Sequence, residues 1–385
     1  QCAKVPGLSA QPKRITSVGI IGAGLMGGGI AMVCADAGLA VILLDTSGAA
    51  IERGMKTVRA NYDRSVKGGR RSQASVDQAL GRITTTLDYS LFSSVDMIIE
   101  AVFENLQIKK DIFARLDKIC KPGAVLCTNT SALSIKAIAQ STQRPQDVIG
   151  AHFFSPANVM RLLEVVKSDL SSQQTIATAM AFGKTVKKVT VLAGDCPGFI
   201  GNRMLGQYTK AADALVEDGV PPQAVDQAAL SLGMAMGPLA MADLVGIDLT
   251  GRERVRAGVA DPVKNVRDAL YAAGRLGQKT SKGFYRYDAQ RRATIDPEAE
   301  EIIAAVVKAR GVAPKAIPSA EDIQQRLFFP LVNEGFKILE EGHAIRPSDI
   351  DVVYVHGYGF PRYLGGPMHW ADAVGLDKVV QHLER

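Results

Sequence analysis

At 385 residues, 47% hydrophobic and 22% charged, the chain has the make-up of a folded globular protein of two or three domains, which excludes a disordered or fibrous one. No apolar run approaches the ~20 residues that span a bilayer, and a net charge of +6 spread along the chain calls for neither a nucleic-acid nor a membrane partner. The five cysteines, Cys2, Cys34, Cys120, Cys127 and Cys196, form no Cys-x-x-Cys pair and no metal spacing. Their odd number suits a reducing compartment, so no metal and no secreted location are expected.

Residues 1–14, with Pro6, Gly7 and Pro12, read as a linker. Ile15 to Ile21 is a short apolar run of strand type. A helical pattern follows from Leu25 to Ala37 and stops at Gly38, and Ala40 to Asp45 is a second buried strand. Strand, helix and strand with a short return make the βαβ unit of a parallel sheet. The first domain is therefore expected to be α/β, a doubly wound sheet of Rossmann type. Between its first strand and helix stand Gly22, Gly24 and Gly27, the spacing of the dinucleotide fingerprint. The first glycine permits the tight turn, the second lets backbone approach a pyrophosphate, and the third lets helix pack on strand. Leu25 and Met26 fill the helix start, while Gly28 and Gly29 are read as packing residues. Asp45 is placed to accept the ribose hydroxyls and repel a 2′-phosphate, which favours NAD over NADP. Capping the following helix is its alternative role. The cluster of Lys67, Arg70 and Arg71 is either a solvated loop or a landing place for an anionic substrate group.

Further strands are expected at Met97 to Ala101, Val125 to Cys127 and Val148 to His152, with Val186 to Leu192 closing the sheet. In such sheets ligands bind beyond the carboxyl ends of the strands. Ala101, Val102, Glu104 and Lys109 are thus expected to border the cofactor, and Asn129 and Ser131 to face the nicotinamide and substrate. His152 is the only histidine before His343, and Glu164 follows it twelve residues later. A strand–turn–strand would return the acid to the histidine, giving a general base and its orienting carboxylate. Asp195 to Arg203 joins the domains through a turn at Pro197 and Gly198. Asn202 then falls in the first turn of a helix facing the site, where it either binds a ligand or caps the helix. His343, His356, His369 and His382 show no ligand spacing and are read as structural.

Beyond Gly198 the pattern is helical, as from Met204 to Glu217, and strand runs disappear. Gly274 to Asp288, rich in glycine and aromatics, reads as a packed loop. Leu215 to Gly219 resembles Leu339 to Gly342, Gly237-Pro238 recurs as Gly366-Pro367, and Asp243 to Asp248 as Asp372 to Asp377. The kept order argues for a duplicated helical unit. The expected domains are 15–192, 193–296 and 297–385, the last two being helical copies.

Together these residues resemble the L-3-hydroxyacyl-CoA dehydrogenase family from about Ile15 onward. The most specific parts are Thr128 to Ser131, His152 to Asn158, Leu163 to Val166 and Asp195 to Arg203, with Lys282 to Tyr285 matching the end of the first helical domain. The second helical copy resembles the dehydrogenase part of multifunctional β-oxidation enzymes, which join it to an upstream enoyl-CoA hydratase/isomerase domain. That domain is not expected in this chain, so no hydratase activity is. The resemblance implies oxidation of the 3-hydroxyl of an L-3-hydroxyacyl-CoA, with NAD⁺ taking the hydride. It implies His152 as general base, Glu164 as its orienting partner, and Ser131 and Asn202 holding the reacting oxygen or the thioester carbonyl. Lys67 would approach the CoA phosphates. A covalent second copy would fill the surface through which single-copy relatives dimerise, which favours a monomer, in cytoplasm or peroxisome. Two alternatives stay open: a β-hydroxyacid dehydrogenase, and a non-catalytic structural or binding protein on the same fold.

Overall fold

The computed structural model describes residues 4–313 and 316–384. Cys2, the first residues of the expected linker, and Arg385 lie outside them. The chain forms two compact units, one of Gln1–Asn202 with Ile338–Tyr358, the other of Arg203–Lys337 with Gly359–Arg385.

The first unit runs β1 (Ser17–Ile21), α1 (Leu25–Asp36), β2 (Ala40–Leu44), α2 (Gly48–Lys67), α3 (Gln73–Leu80), β3 (Ile83–Thr86), β4 (Met97–Glu100), α4 (Leu106–Ile119), β5 (Val125–Thr128), α5 (Ile135–Ala139), β6 (Val148–Phe153), β7 (Leu162–Lys167), α6 (Gln173–Thr185) and β8 (Val189–Gly194). They form one eight-stranded sheet in the order β3-β2-β1-β4-β5-β6-β7-β8. All neighbours are parallel except β6 and β7. The Rossmann order is thus present, with β1 and β4 flanking the point where it reverses. Val18, Ile20, Leu43, Ile99, Val125, Ile149 and Val165 from the strands join Ile30, Ala31 and Cys34 of α1 in one apolar core. Strands buried on both faces read as unbroken apolar runs, and for that reason the sequence locates most of them. One escapes it: β3 is Ile followed by three threonines. β7 is present as the return arm expected beside His152. β8 begins at Val189, because Val186 still caps α6 and Lys187 turns the chain with φ +58°.

The remaining elements are α7 (Gly201–Glu217), α8 (Pro222–Leu232), α9 (Pro238–Val245), α10 (Asp248–Arg256), α11 (Val266–Ala272), the small antiparallel pair β9 (Arg286–Tyr287) and β10 (Ala293–Thr294), α12 (Pro297–Ala309), α13 (Ala320–Glu340), α14 (Pro347–Gly357), α15 (Pro367–Val374) and α16 (Leu376–Leu383). The partition into units crosses the boundaries read at 193 and 297. The sheet unit extends to Asn202, and Ile338–Tyr358 belongs to it. The reason is physical: β8 is an edge strand, and edge strands need cover. α14 packs on β7 and β8, and Gly194 N donates to His343 O at 2.8 Å.

In the second unit Tyr208, Phe360 and Trp370 gather around Phe328. The glycine-rich stretch is packed onto buried carboxylates, as a packed loop would be, and it also includes the short β9. Asp243 accepts from Phe284 N, Tyr285 N and the Tyr287 hydroxyl at 2.9, 3.0 and 2.9 Å. Asp226 accepts from Leu239 N, Ala240 N and the Tyr285 hydroxyl. α9 and α15 share one design: each is eight residues long, starts on proline after glycine, and ends at a glycine with φ near +100° (Gly246, +106°; Gly375, +100°). Among the described residues no helix is long and apolar enough to cross a membrane.

Candidate active site

Gly22 turns the chain out of β1 with φ +98°, a conformation that L side chains rarely adopt. A Cβ on Gly27 would lie 1.7 Å from Gly22 O, so only glycine lets α1 cross the loop this closely. At Gly24, the N-cap of α1, nothing lies within 4 Å of where a Cβ would stand, and no side chain caps the helix. An uncapped helix start behind an open glycine surface fits the pyrophosphate of a dinucleotide. Leu25 is exposed and Met26 half-buried at its rim. Asp45, just past β2, accepts from Ala23 N at 2.7 Å and Thr46 N at 2.6 Å. The cap of α2 is Ser47, which accepts from Ala50 N, so the capping alternative for Asp45 is not the one used. Gly28 faces Val58 and Gly29 faces Ala157 as packing positions.

The end of β4 holds a buried ionic knot. Glu100, fully buried, accepts from Lys109 Nζ, Thr128 Oγ1 and Val102 N at 2.7, 2.7 and 2.8 Å. Lys109, expected at the border of the cofactor, is instead only 1% exposed, and its ammonium also lies 3.5 Å from Glu104 Oε2. It balances a charge that would otherwise cost several kcal/mol to bury. Glu104 accepts from Thr130 Oγ1 at 2.6 Å, Ser131 N at 2.8 Å and Ser131 Oγ at 3.2 Å. Burial pushes this carboxyl up, but the Thr130 and Ser131 hydrogen bonds, with Lys109 nearby, outweigh it and hold the group below its ordinary range. Ala101 N donates to Ile21 O at 2.8 Å, and its carbonyl is the atom that a Cβ on Gly22 would meet. The sequence marks Glu100 only as an acid ending a buried strand and assigns it no role. Its place after the apolar run Met97 to Ile99 is one where a charge must find a partner.

The antiparallel register of β6 and β7 sets His152 directly opposite Glu164. His152 Nδ1 and Glu164 Oε2 are 2.8 Å apart. The other carboxylate oxygen, Oε1, accepts from Gly201 N at 3.0 Å. Glu164 is fully buried and His152 is 6% exposed, with the Phe154 and Phe199 rings 4.4 and 5.8 Å from the imidazole. With Nδ1–H directed at the carboxylate, Nε2 keeps its lone pair for a substrate proton. Lys188, lowered by burial to about 8, donates to Ala157 O and Met160 O at 2.6 Å each and holds the turn between the two strands.

Asn129 Oδ1 accepts from Phe153 N at 2.8 Å, tying β5's end to β6. Asn202, in the first turn of α7, donates from Nδ2 to Ser131 O at 3.3 Å, and its Oδ1 accepts from the Tyr358 hydroxyl at 2.7 Å. Asn202 is therefore turned to the Ser131 loop. Hydrogen bonds thus bring together Ser131, His152, Glu164 and Asn202 around neighbouring strand ends. They do not bring in Lys67, which is exposed at the end of α2. Its neighbour Arg71 pairs with Asp36 at 2.5 Å and lies over the Tyr62 ring.

Comparison with known proteins matches residues 17–196 to the 3-hydroxyacyl-CoA dehydrogenase NAD binding domain. Residues 198–287 and 323–385 match the 3-hydroxyacyl-CoA dehydrogenase C-terminal domain. The chain is 41% identical over 393 residues to a peroxisomal bifunctional enzyme of Danio rerio, across 98% of this chain and 54% of that one. It thus spans about half the length of the curated relatives it matches. Among solved structures, the dehydrogenase part of multifunctional enzyme 1 from C. elegans is 32% identical with a TM-score of 0.68, over 93% of this chain and 83% of that one. The 3-hydroxybutyryl-CoA dehydrogenase of Escherichia coli is 27% identical with a TM-score of 0.82, over 97% and 94%.

Proposed function

The chain belongs to the 3-hydroxyacyl-CoA dehydrogenase family, and from that premise we propose that it is an NAD-dependent enzyme of fatty-acid β-oxidation, the pathway for which relatives are named, and that its own residues carry the reaction as follows. His152 Nε2 takes the proton from the 3-hydroxyl of an L-3-hydroxyacyl-CoA, and Glu164 orients the ring and stabilises the imidazolium that forms. Ser131 and Asn202 hydrogen-bond the reacting oxygen or the thioester carbonyl. Gly22, Gly24, Leu25, Met26 and Gly27 hold the pyrophosphate, Asp45 the adenosine ribose, and Ala101, Val102, Glu104 and Asn129 the nicotinamide side. Lys109 serves that rim from beneath, by fixing Glu100 and Glu104. Bound NAD⁺ supplies the hydride acceptor. Phe154 and Phe199 shield the imidazole from water. Lys67 meets the CoA phosphates from outside the hydrogen-bonded site.

The observation that carries this reading is the register pair His152–Glu164, bonded at 2.8 Å with the second carboxylate oxygen occupied by Gly201 N. A carboxylate so committed fixes one imidazole tautomer, which is what a general base requires. The test is NADH oxidation with acetoacetyl-CoA, with the keto form of a free hydroxy acid as control. His152→Gln should lower turnover about 10²- to 10⁴-fold while NADH still binds. Near-native turnover would refute the role of His152, and turnover of the free acid alone would refute the substrate class.

The matched designs of α9 and α15 support a duplicated helical unit, with domains at 15–192, 193–296 and 297–385 in the sequence sense. With both copies in one chain a monomer follows, which sedimentation tests. The relatives named as peroxisomal favour that compartment over the cytoplasm. Their greater length favours a parent protein with an enoyl-CoA hydratase/isomerase part.

A further inference from the structure

Asn202 must present an N–H to a substrate oxygen, and an amide does so only if its flip is fixed. The carbonyl of Ser131 can only accept, so the amide nitrogen faces it, at 3.3 Å. That leaves Oδ1 to accept from the Tyr358 hydroxyl, at 2.7 Å. One amide hydrogen is spent on Ser131, and the second remains for a ligand. Reversing the amide would set oxygen against the Ser131 carbonyl and leave the phenol without its acceptor.

Tyr358 is itself held in place. Its ring stacks on Tyr354 with centroids 4.9 Å apart and meets the edge of Phe154 at 5.5 Å, the same Phe154 that lies 4.4 Å from His152. Tyr354 donates to Gly201 O at 3.1 Å, while Gly201 N donates to Glu164. A Cβ on Gly201 would lie 2.3 Å from Tyr358 Cε2, so glycine is what admits the ring. Burial, with the Glu164 carboxylate nearby, pushes the Tyr358 phenol well above its ordinary range, so it stays protonated and able to donate.

We propose that Tyr358 is a positioning residue for the dehydrogenase reaction: its hydroxyl sets the amide of Asn202 so that an N–H faces the substrate oxygen. The proposal rests on the substrate-binding role given to Asn202 above. It also gives Ile338–Tyr358, which lies outside every motif of the site, a part in turnover.

The test uses the full chain with Tyr358→Phe, which keeps the ring and removes the hydroxyl. The expected result is a fall of roughly 3- to 10-fold in kcat/KM for acetoacetyl-CoA, the worth of one hydrogen bond. NADH affinity should be unchanged, and the thermal midpoint should fall by no more than about 2–4 °C. Asn202→Ala should lower kcat/KM further, and adding Tyr358→Phe to it should change the value by less than about twofold, because the two act through one contact. An impaired Asn202→Ala with a native-like Tyr358→Phe, or with additive losses in the double variant, overturns the positioning role alone. Native-like Asn202→Ala overturns the role of Asn202, and the proposal with it.

Discussion

Glu164→Gln is nearly isosteric, and in a fully buried site it changes only charge and hydrogen-bond polarity. Glu164 now accepts twice, from His152 Nδ1 and from Gly201 N. Glutamine can accept at only one of those places. If its oxygen keeps Gly201, its NH₂ donates to Nδ1, the proton moves to Nε2, and the ring no longer accepts a proton from substrate. If its oxygen keeps Nδ1, the NH₂ faces the N–H of Gly201, two donors opposed, at ~1–3 kcal/mol for the unsatisfied group. The first arrangement is the cheaper and holds the wrong tautomer. Loss of base function costs about 10²- to 10⁴-fold, and about 10³-fold corresponds to ~4 kcal/mol in the barrier. Stopped-flow or steady-state NADH oxidation with acetoacetyl-CoA reads this as a fall in kcat, with NADH affinity by fluorescence titration as control. A variant within about fivefold of native kcat, binding NADH normally, would show that Glu164 does not select the tautomer, and the reasoning would fail.

Gly27→Ala should abolish NADH binding in titration and lower the melting temperature, since its Cβ would fall 1.7 Å from Gly22 O; native-like binding would refute the close crossing. Lys109→Met leaves Glu100 buried without its cation and should cost about 3–5 kcal/mol in denaturant unfolding, with Glu100→Gln in the same chain recovering part of it. Absence of that recovery would mean the pair is not what the variant breaks. Burial pushes Asp243 up to about 6, against the hydrogen bonds from Phe284 N, Tyr285 N and Tyr287. The folded state then holds its proton more tightly than the unfolded one. The contribution is full below about pH 4 and is lost as pH rises through about 6. Relative to Asp243→Asn, the native chain should lose up to about 3 kcal/mol between those limits; a pH-independent difference between the two in thermal melts would contradict it.

What the sequence discloses here is what short-range physics encodes. β1, α1 and β2 are legible because apolar runs and glycines act on their own neighbours. The pairing of His152 with Glu164 is legible because one turn separates them. β3 is not, since Thr84, Thr85 and Thr86 are equally at home in a loop. Lys109 reads as a residue of the cofactor border until Glu100, nine residues earlier, is seen to be buried beside it. Tyr358, 156 residues from Asn202, is beyond any local pattern. The same holds for the membership of Ile338–Tyr358 in the sheet unit, which follows from an uncovered edge strand rather than from periodicity.

Three glutamates end up at this side of the sheet, and their partners divide the work. Glu100 meets Lys109, whose ammonium is directed at two carboxylates; that pair holds structure. Glu104 meets two hydroxyls and a backbone N–H, and so shapes the loop carrying Ser131. Glu164 alone meets a group with a second nitrogen to spare, the His152 imidazole. Burial is common to Glu100 and Glu164, so burial does not decide which acid supports catalysis. The second nitrogen of the imidazole across from Glu164 does, and the proposed proton transfer is therefore assigned to the β6–β7 pair, not to the more conspicuous ionic knot at the end of β4.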